Sequence, residues 1–104
     1  MIIVKNNILP FKGFKAIYLF GFLFTRGDLT ETQLNHEKIH ERQAIELLFV
    51  FFYLWYAIEW IVRLFRPGNA YKSISFEREA YSNEHDLTYC SFRERYSFLK
   101  YLRP

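Results

Sequence analysis

The chain has 104 residues, 51% of them apolar and 21% aromatic, with a formal net charge of +3. That length allows one small domain, 1–104, with a modest core, and the apolar content excludes a disordered chain. The slight positive balance lacks the dense basic clusters of a nucleic-acid binder, so no nucleic-acid partner is expected.

The first part, 1–27, reads as short strands. Met1 to Asn7 has no basic region ahead of its apolar residues and no small-residue cleavage site, so it does not read as a signal peptide. Residues 2–4 and 8–9 flank Asn6-Asn7, a tight-turn pair because Asn tolerates positive φ. Pro10 and Gly13 then punctuate the chain. The aromatic and β-branched run 14–25 is expected to form one or two buried strands, which a peptide can join by β-augmentation.

A helix start follows. Thr30 with Gln33 makes a capping box, Leu29 and Leu34 occupy the positions of a hydrophobic staple, and Glu31 complements the helix dipole. No Gly or Pro occurs between Gly27 and Pro67, so helical character is expected across 30–66. A straight helix over 31–66 would be about 54 Å long. A domain of this size has a radius of gyration near 13 Å. The helix therefore bends or breaks, or its second half lies in something other than water.

The segment 47–65, from Leu47 to Phe65, is apolar all round and free of charge as far as Ile58. Glu59 and Arg63 are spaced to pair, and Tyr53, Trp55, Tyr56 and Trp60 with Arg63 and Arg66 resemble an interfacial belt. Membrane contact through this segment is one expectation, and burial in a homodimer is the other. The excess of rings, twelve Phe, eight Tyr and two Trp, fits either. After Pro67-Gly68 a helix is expected near Phe76 with Ser75 as its N-cap. Ser91 and Glu94 form a second capping box, so a final helix is expected over 92–102. The fold class is thus α+β, mainly α: short strands, a long helix with an apolar second half, and a helical part over 75–102.

The chemistry-bearing motif is His36-Glu37-Lys38-Ile39-His40, in the second turn of the first helix. Histidines four apart share a helix face and can present two imidazoles to one ion, while Glu37 projects toward a water beside it. Two imidazoles need a third protein ligand, for which Glu77, Glu79, Glu84, His85 and Asp86 are the downstream candidates. Cys90 is alone, which excludes an intrachain disulfide and a cysteine-built zinc site. Two imidazoles and a carboxylate suit Zn2+ over magnesium or calcium.

Phe76-Glu77-Arg78-Glu79-Ala80-Tyr81 resembles the second motif of gluzincin metallopeptidases, in particular the short form of membrane-embedded, CAAX-protease-type members. The resemblance implies that Glu77 is the third ligand, that Glu37 acts as general base, and that a peptide or protein is the substrate. Tyr81 stands where that form carries an Asp orienting a ligand histidine. Glu84, seven residues beyond Glu77 and on nearly the same face, can take over that role, and Tyr81 can donate to an oxyanion or to Glu77. The chain also resembles a group of small bacterial proteins with the same N-H-E-K-I-H and F-E-R-E-A-Y elements, which bring no established activity. Gln43, three beyond His40, is either an amide supporting an imidazole or a surface residue. Glu77 and Glu79 also suit a first-turn role against the helix dipole, and either can pair with Arg78 or Arg93 instead of metal.

Two functions follow as expectations. One is a zinc metallopeptidase, membrane-associated or cytoplasmic. The other is a non-catalytic helical module, metal-stabilised or metal-free, that binds lipid or a partner protein.

Overall fold

The computed structural model describes residues 1–6 and 14–102. The Asn6-Asn7 turn and the 8–9 strand rest on residues outside that set. The architecture is α+β and mainly helical: β1 (Ile2–Lys5), β2 (Ala16–Leu19) and β3 (Phe22–Thr25) precede α1 (Glu31–Glu46), α2 (Val50–Leu64), α3 (Ala70–Ser73), α4 (Ser75–Asn83) and α5 (Tyr89–Phe92). A 3-10 turn over Ser97–Tyr101 follows.

The run 14–25 forms two strands joined by Phe20 and Gly21, both at positive φ (49° and 92°), the geometry of a type I′ hairpin. β3 lies at the centre of the sheet, antiparallel to β2 and parallel to β1, which leaves β2 on an edge. Only one sheet face is buried. Tyr18 and its cross-strand partner Leu23 point into the core, whereas Ile17, Phe20 and Phe22 are exposed, so the expectation of fully buried strands is corrected.

Helix α1 starts as its sequence dictates. Gln33 N–H donates to Thr30 Oγ1 at 3.1 Å, and Thr30 N–H donates to Gln33 Oε1 at 2.9 Å. Leu29 and Leu34 both pack on the main core. The continuous helix does not form: the axis turns by 111° between α1 and α2. Leu48 adopts φ 55°, and the N–H groups of Leu48 and Phe49 reach back to the carbonyls of Ile45 and Ala44 at 3.2 and 2.7 Å. That is a Schellman ending built on leucine instead of glycine. Phe49, at φ 60° and ψ −60°, closes a strained γ-turn in which Val50 N–H donates to Leu48 C=O at 2.6 Å. The longest dimension of the molecule is consequently 34 Å.

Phe76, at the first turn of α4, is the centre of the core. Its ring lies 4.6 Å from Phe52 and 4.7 Å from Phe98, with Tyr56 stacked at 6.1 Å. Ser75 is the first helical residue and not the cap. Its N–H donates to Glu59 Oε1 at 2.9 Å, and its hydroxyl donates to the same carboxylate, which also accepts from Trp55 Nε1 at 2.8 Å. A carboxylate from α2 thereby satisfies the positive end of α4.

The expected helix over 92–102 is replaced by α5, an extended bend and the 3-10 turn. Ser91 lies inside α5 with its hydroxyl on Thr88 C=O, and Tyr96 sits at φ 58° with its N–H on Glu46 Oε2. Arg93 is drawn inward to Glu46 and Glu79, and these long-range ion pairs override the local helix signals.

Candidate metal centre

Helices α1 and α4 pack side by side, which brings residues about 40 positions apart to one point. His36 and His40 lie on the buried face of α1, and Glu77 opposes them from the first turn of α4. Glu77 Oε1 is 3.1 Å from His36 Nε2 and 3.1 Å from His40 Nε2, and the two nitrogens are 3.2 Å apart. A tetrahedral zinc with ligands at about 2.0–2.1 Å separates its ligand atoms by about 3.3–3.4 Å. The triangle fits such an ion to within a few tenths of an ångström. All three side chains are buried, and among the described residues they form the one cluster with this arrangement.

Surrounding hydrogen bonds orient His40 and Glu77. Gln43 Nε2 donates to Phe76 C=O at 3.1 Å and to Glu79 Oε1 at 2.9 Å. Both partners only accept, so the amide oxygen must face His40 Nδ1, 2.8 Å away. The imidazole therefore carries hydrogen on Nδ1, and its Nε2 lone pair is available at the triad when the ring is neutral. His36 Nδ1 is buried without a hydrogen-bond partner, yet Glu84 Oε2 stands 3.3 Å from it. A small rotation of Glu84 gives His36 the same tautomer. Tyr56 donates to Glu77 Oε2 at 2.7 Å; that oxygen is also 3.1 Å from His40 Nε2, while Oε1 faces both imidazoles.

The charges are coupled. Burial alone lowers the pKa of His40, but the charge of Glu77, its hydrogen bond and the charge of Glu37 outweigh burial and lift it to about 9. Glu77 moves the other way: burial opposes ionisation, and the charge of His40 with hydrogen bonds from both imidazoles holds the carboxyl well below its ordinary range. Burial raises Glu37, an effect the two imidazoles reduce. Among the described residues no side chain hydrogen-bonds the Glu37 carboxylate.

Glu37 stands between two cavities. One, about 360 Å3, has Ile17, Tyr18, Phe52, Tyr53, Tyr56 and Trp60 in its walls with Glu37, His40 and Glu77 at its polar end. The other, about 550 Å3, is more polar and is bordered by Gln33, His36, Lys72, Tyr81 and Glu84. The arrangement gives a carboxylate access to water from one side and to an apolar group from the other.

The remaining candidates separate clearly. Glu79 is fully buried but committed to Gln43, Tyr89 and Arg93, so it braces the centre from behind. His85 and Asp86 are exposed, and Asp86 caps Thr88. The Tyr81 ring packs edge-on against His36 at 4.5 Å, and its hydroxyl bonds Tyr71 instead of Glu77. Sequence reasoning missed Tyr56, which reads there only as one ring of an aromatic belt. It also missed Asn35, whose amide donates to the carbonyls of Glu84 and Asp86 at 2.8 and 2.9 Å.

Set against models of known families, against curated proteins and against solved structures, the chain matches none, so its functional reading rests on its own residues.

Proposed function

We propose that this protein is a small zinc-dependent hydrolase that cleaves a peptide bond, with His36, His40 and Glu77 holding the ion and Glu37 as general base. The observation that carries this reading is the buried triangle of two imidazole nitrogens and one carboxylate oxygen, each within 3.2 Å of the others. Zinc bound there supplies Lewis acidity toward water and a carbonyl. The chain supplies the rest. Gln43 holds the His40 imidazole with its Nε2 toward the triad, Glu84 stands 3.3 Å from His36 Nδ1 where it can do the same, and Tyr56 bonds the carboxylate. Glu37, unbonded and raised in pKa, accepts the proton of the attacking water and passes it to the leaving amine. The apolar cavity beside it takes a large apolar side chain of the substrate, and β2, an edge strand among the described residues, runs along its wall.

The test separates metal from chemistry. Purified wild-type protein is expected to hold about one zinc per chain, and His36→Ala to retain less than about a tenth of that. Glu37→Gln is expected to keep its zinc and lose about 10²–10⁴-fold in hydrolysis of a peptide library. Absence of zinc from wild-type protein overturns the proposal. Retained zinc with no hydrolysis by wild type reduces it to a metal-stabilised module.

A further inference from the structure

Helix α2 divides its surface unequally. Phe52 and Glu59 are buried, and Tyr53, Trp55, Tyr56 and Arg63 are partly so. Val50, Phe51, Leu54, Ile58, Ile61 and Leu64 are each more than half exposed, Trp60 and Val62 nearly half, and Phe65 just beyond the helix is 87% exposed. At about 100° per residue these positions sweep an uncharged arc of about 200°. The single acid of the helix, Glu59, is turned inward onto Ser75 and Trp55.

The width of that arc selects its occupant. A helix seam in a dimer covers a stripe of about 100°. Phe51, Leu54, Ile58, Ile61 and Phe65 have the spacing of such a seam, but a second copy seated on them leaves Val50, Trp60 and Leu64 in water. The apolar surface also continues past the helix. Leu48 at the elbow is 70% exposed, and the hairpin tip adds Phe20, whose ring packs at a tilt against Tyr53 with centroids 4.7 Å apart. A continuous apolar phase covers all of these together. Length settles the posture: α2 is about 22 Å long at 1.5 Å per residue. A hydrocarbon layer is about 30 Å thick. No single described helix is long and apolar enough to cross it, and the chain turns sharply at the start of α2. Exposed Arg66 lies just beyond the helix, where anionic headgroups attract it.

We infer that the outward face of α2, with Leu48 and Phe20 beside its N-terminal end, docks flat into the interfacial layer of a lipid bilayer. The inference rests on this apolar surface and needs neither metal nor hydrolysis.

Flotation of the full chain with vesicles of phosphatidylcholine, alone or mixed with phosphatidylglycerol, tests it at low salt and at about 0.5 M salt. Wild type is expected to float with both compositions and to stay bound at high salt. Ile58→Glu with Ile61→Glu, at two exposed positions, is expected to weaken binding at least about tenfold with an unchanged circular dichroism spectrum. Brominated acyl chains are expected to quench tryptophan emission in wild type and much less in Trp60→Phe, a readout independent of the charged variant. Protein left in the aqueous fraction with both vesicles overturns the inference. So does binding confined to anionic vesicles and lost in salt. A dimer that the double substitution dissociates, with no vesicle binding, assigns the face to a second copy instead.

Discussion

His40 holds a proton that a metal ion has to displace. Its pKa rises from 6.5 in the unfolded chain to about 9 in the folded protein. The stabilisation from this shift is fully present below pH 6.5 and disappears as pH rises through about 9. Glu77, with its pKa depressed, stabilises the fold above the ordinary carboxylate range and ceases to do so in acid. Metal-free protein is therefore expected to melt at progressively lower temperature from pH 6.5 to 9. Zinc affinity is expected to rise over the same interval, with about one proton released per zinc near pH 7.5. Calorimetry in buffers of different ionisation enthalpy counts that proton, and a count of zero contradicts the assignment. Gln43→Leu removes the oxygen that fixes the His40 tautomer, and a chelator competition is expected to show zinc affinity reduced about 10–100-fold. The sequence makes His36, Glu37 and His40 legible because helix spacing alone places them. Tyr56 and Asn35 were not legible, because their roles depend on which helices pack together.

Among the elements, starts were easier to read than stops. The capping box of α1 is a local device, and it forms as written. The end of α1 carries no Gly or Pro, because the turn is imposed by the core: Ala44 and Phe52 pack in one cluster from opposite sides of the elbow. Leu48 bears the conformational cost. A non-glycine residue in the left-handed region loses about 1–2 kcal/mol, and the exposed Leu48 side chain recovers little of it by packing. Leu48→Gly is expected to raise stability by about 1 kcal/mol in urea unfolding without lipid. A fall of that size contradicts the Schellman reading of the elbow. Helix α4 shows the opposite limit of local signals. Its ends are satisfied from a distance, by Glu59 at Ser75 and by Asn35 at the carbonyls just past its C-terminus. Ser75, a good cap by type, serves that network as a donor. The same competition removed the final helix, where Arg93 and Tyr96 N–H are held by Glu79 and Glu46.

For the whole molecule, the class of fold was readable from the order of strand-like and helix-like segments, while the path between them was not. A turn of 111° between α1 and α2 lets one short chain wrap α2 and α1 around α4, so the apolar helix covers the core on one side and presents its outer arc on the other. The candidate centre joins the two ends of this wrapping. His40 and Glu77 are 37 positions apart, and the intervening loop contains all of α2. An ion gripped from both ends would act as a cross-link closing that loop. By the chain-entropy relation such a closure restricts the unfolded chain by about 4 kcal/mol. Occupancy of the centre would then raise the resistance of the whole fold to unfolding, while α2 stays seated through Phe52 in the core and Glu59 on Ser75 whether or not an ion is held.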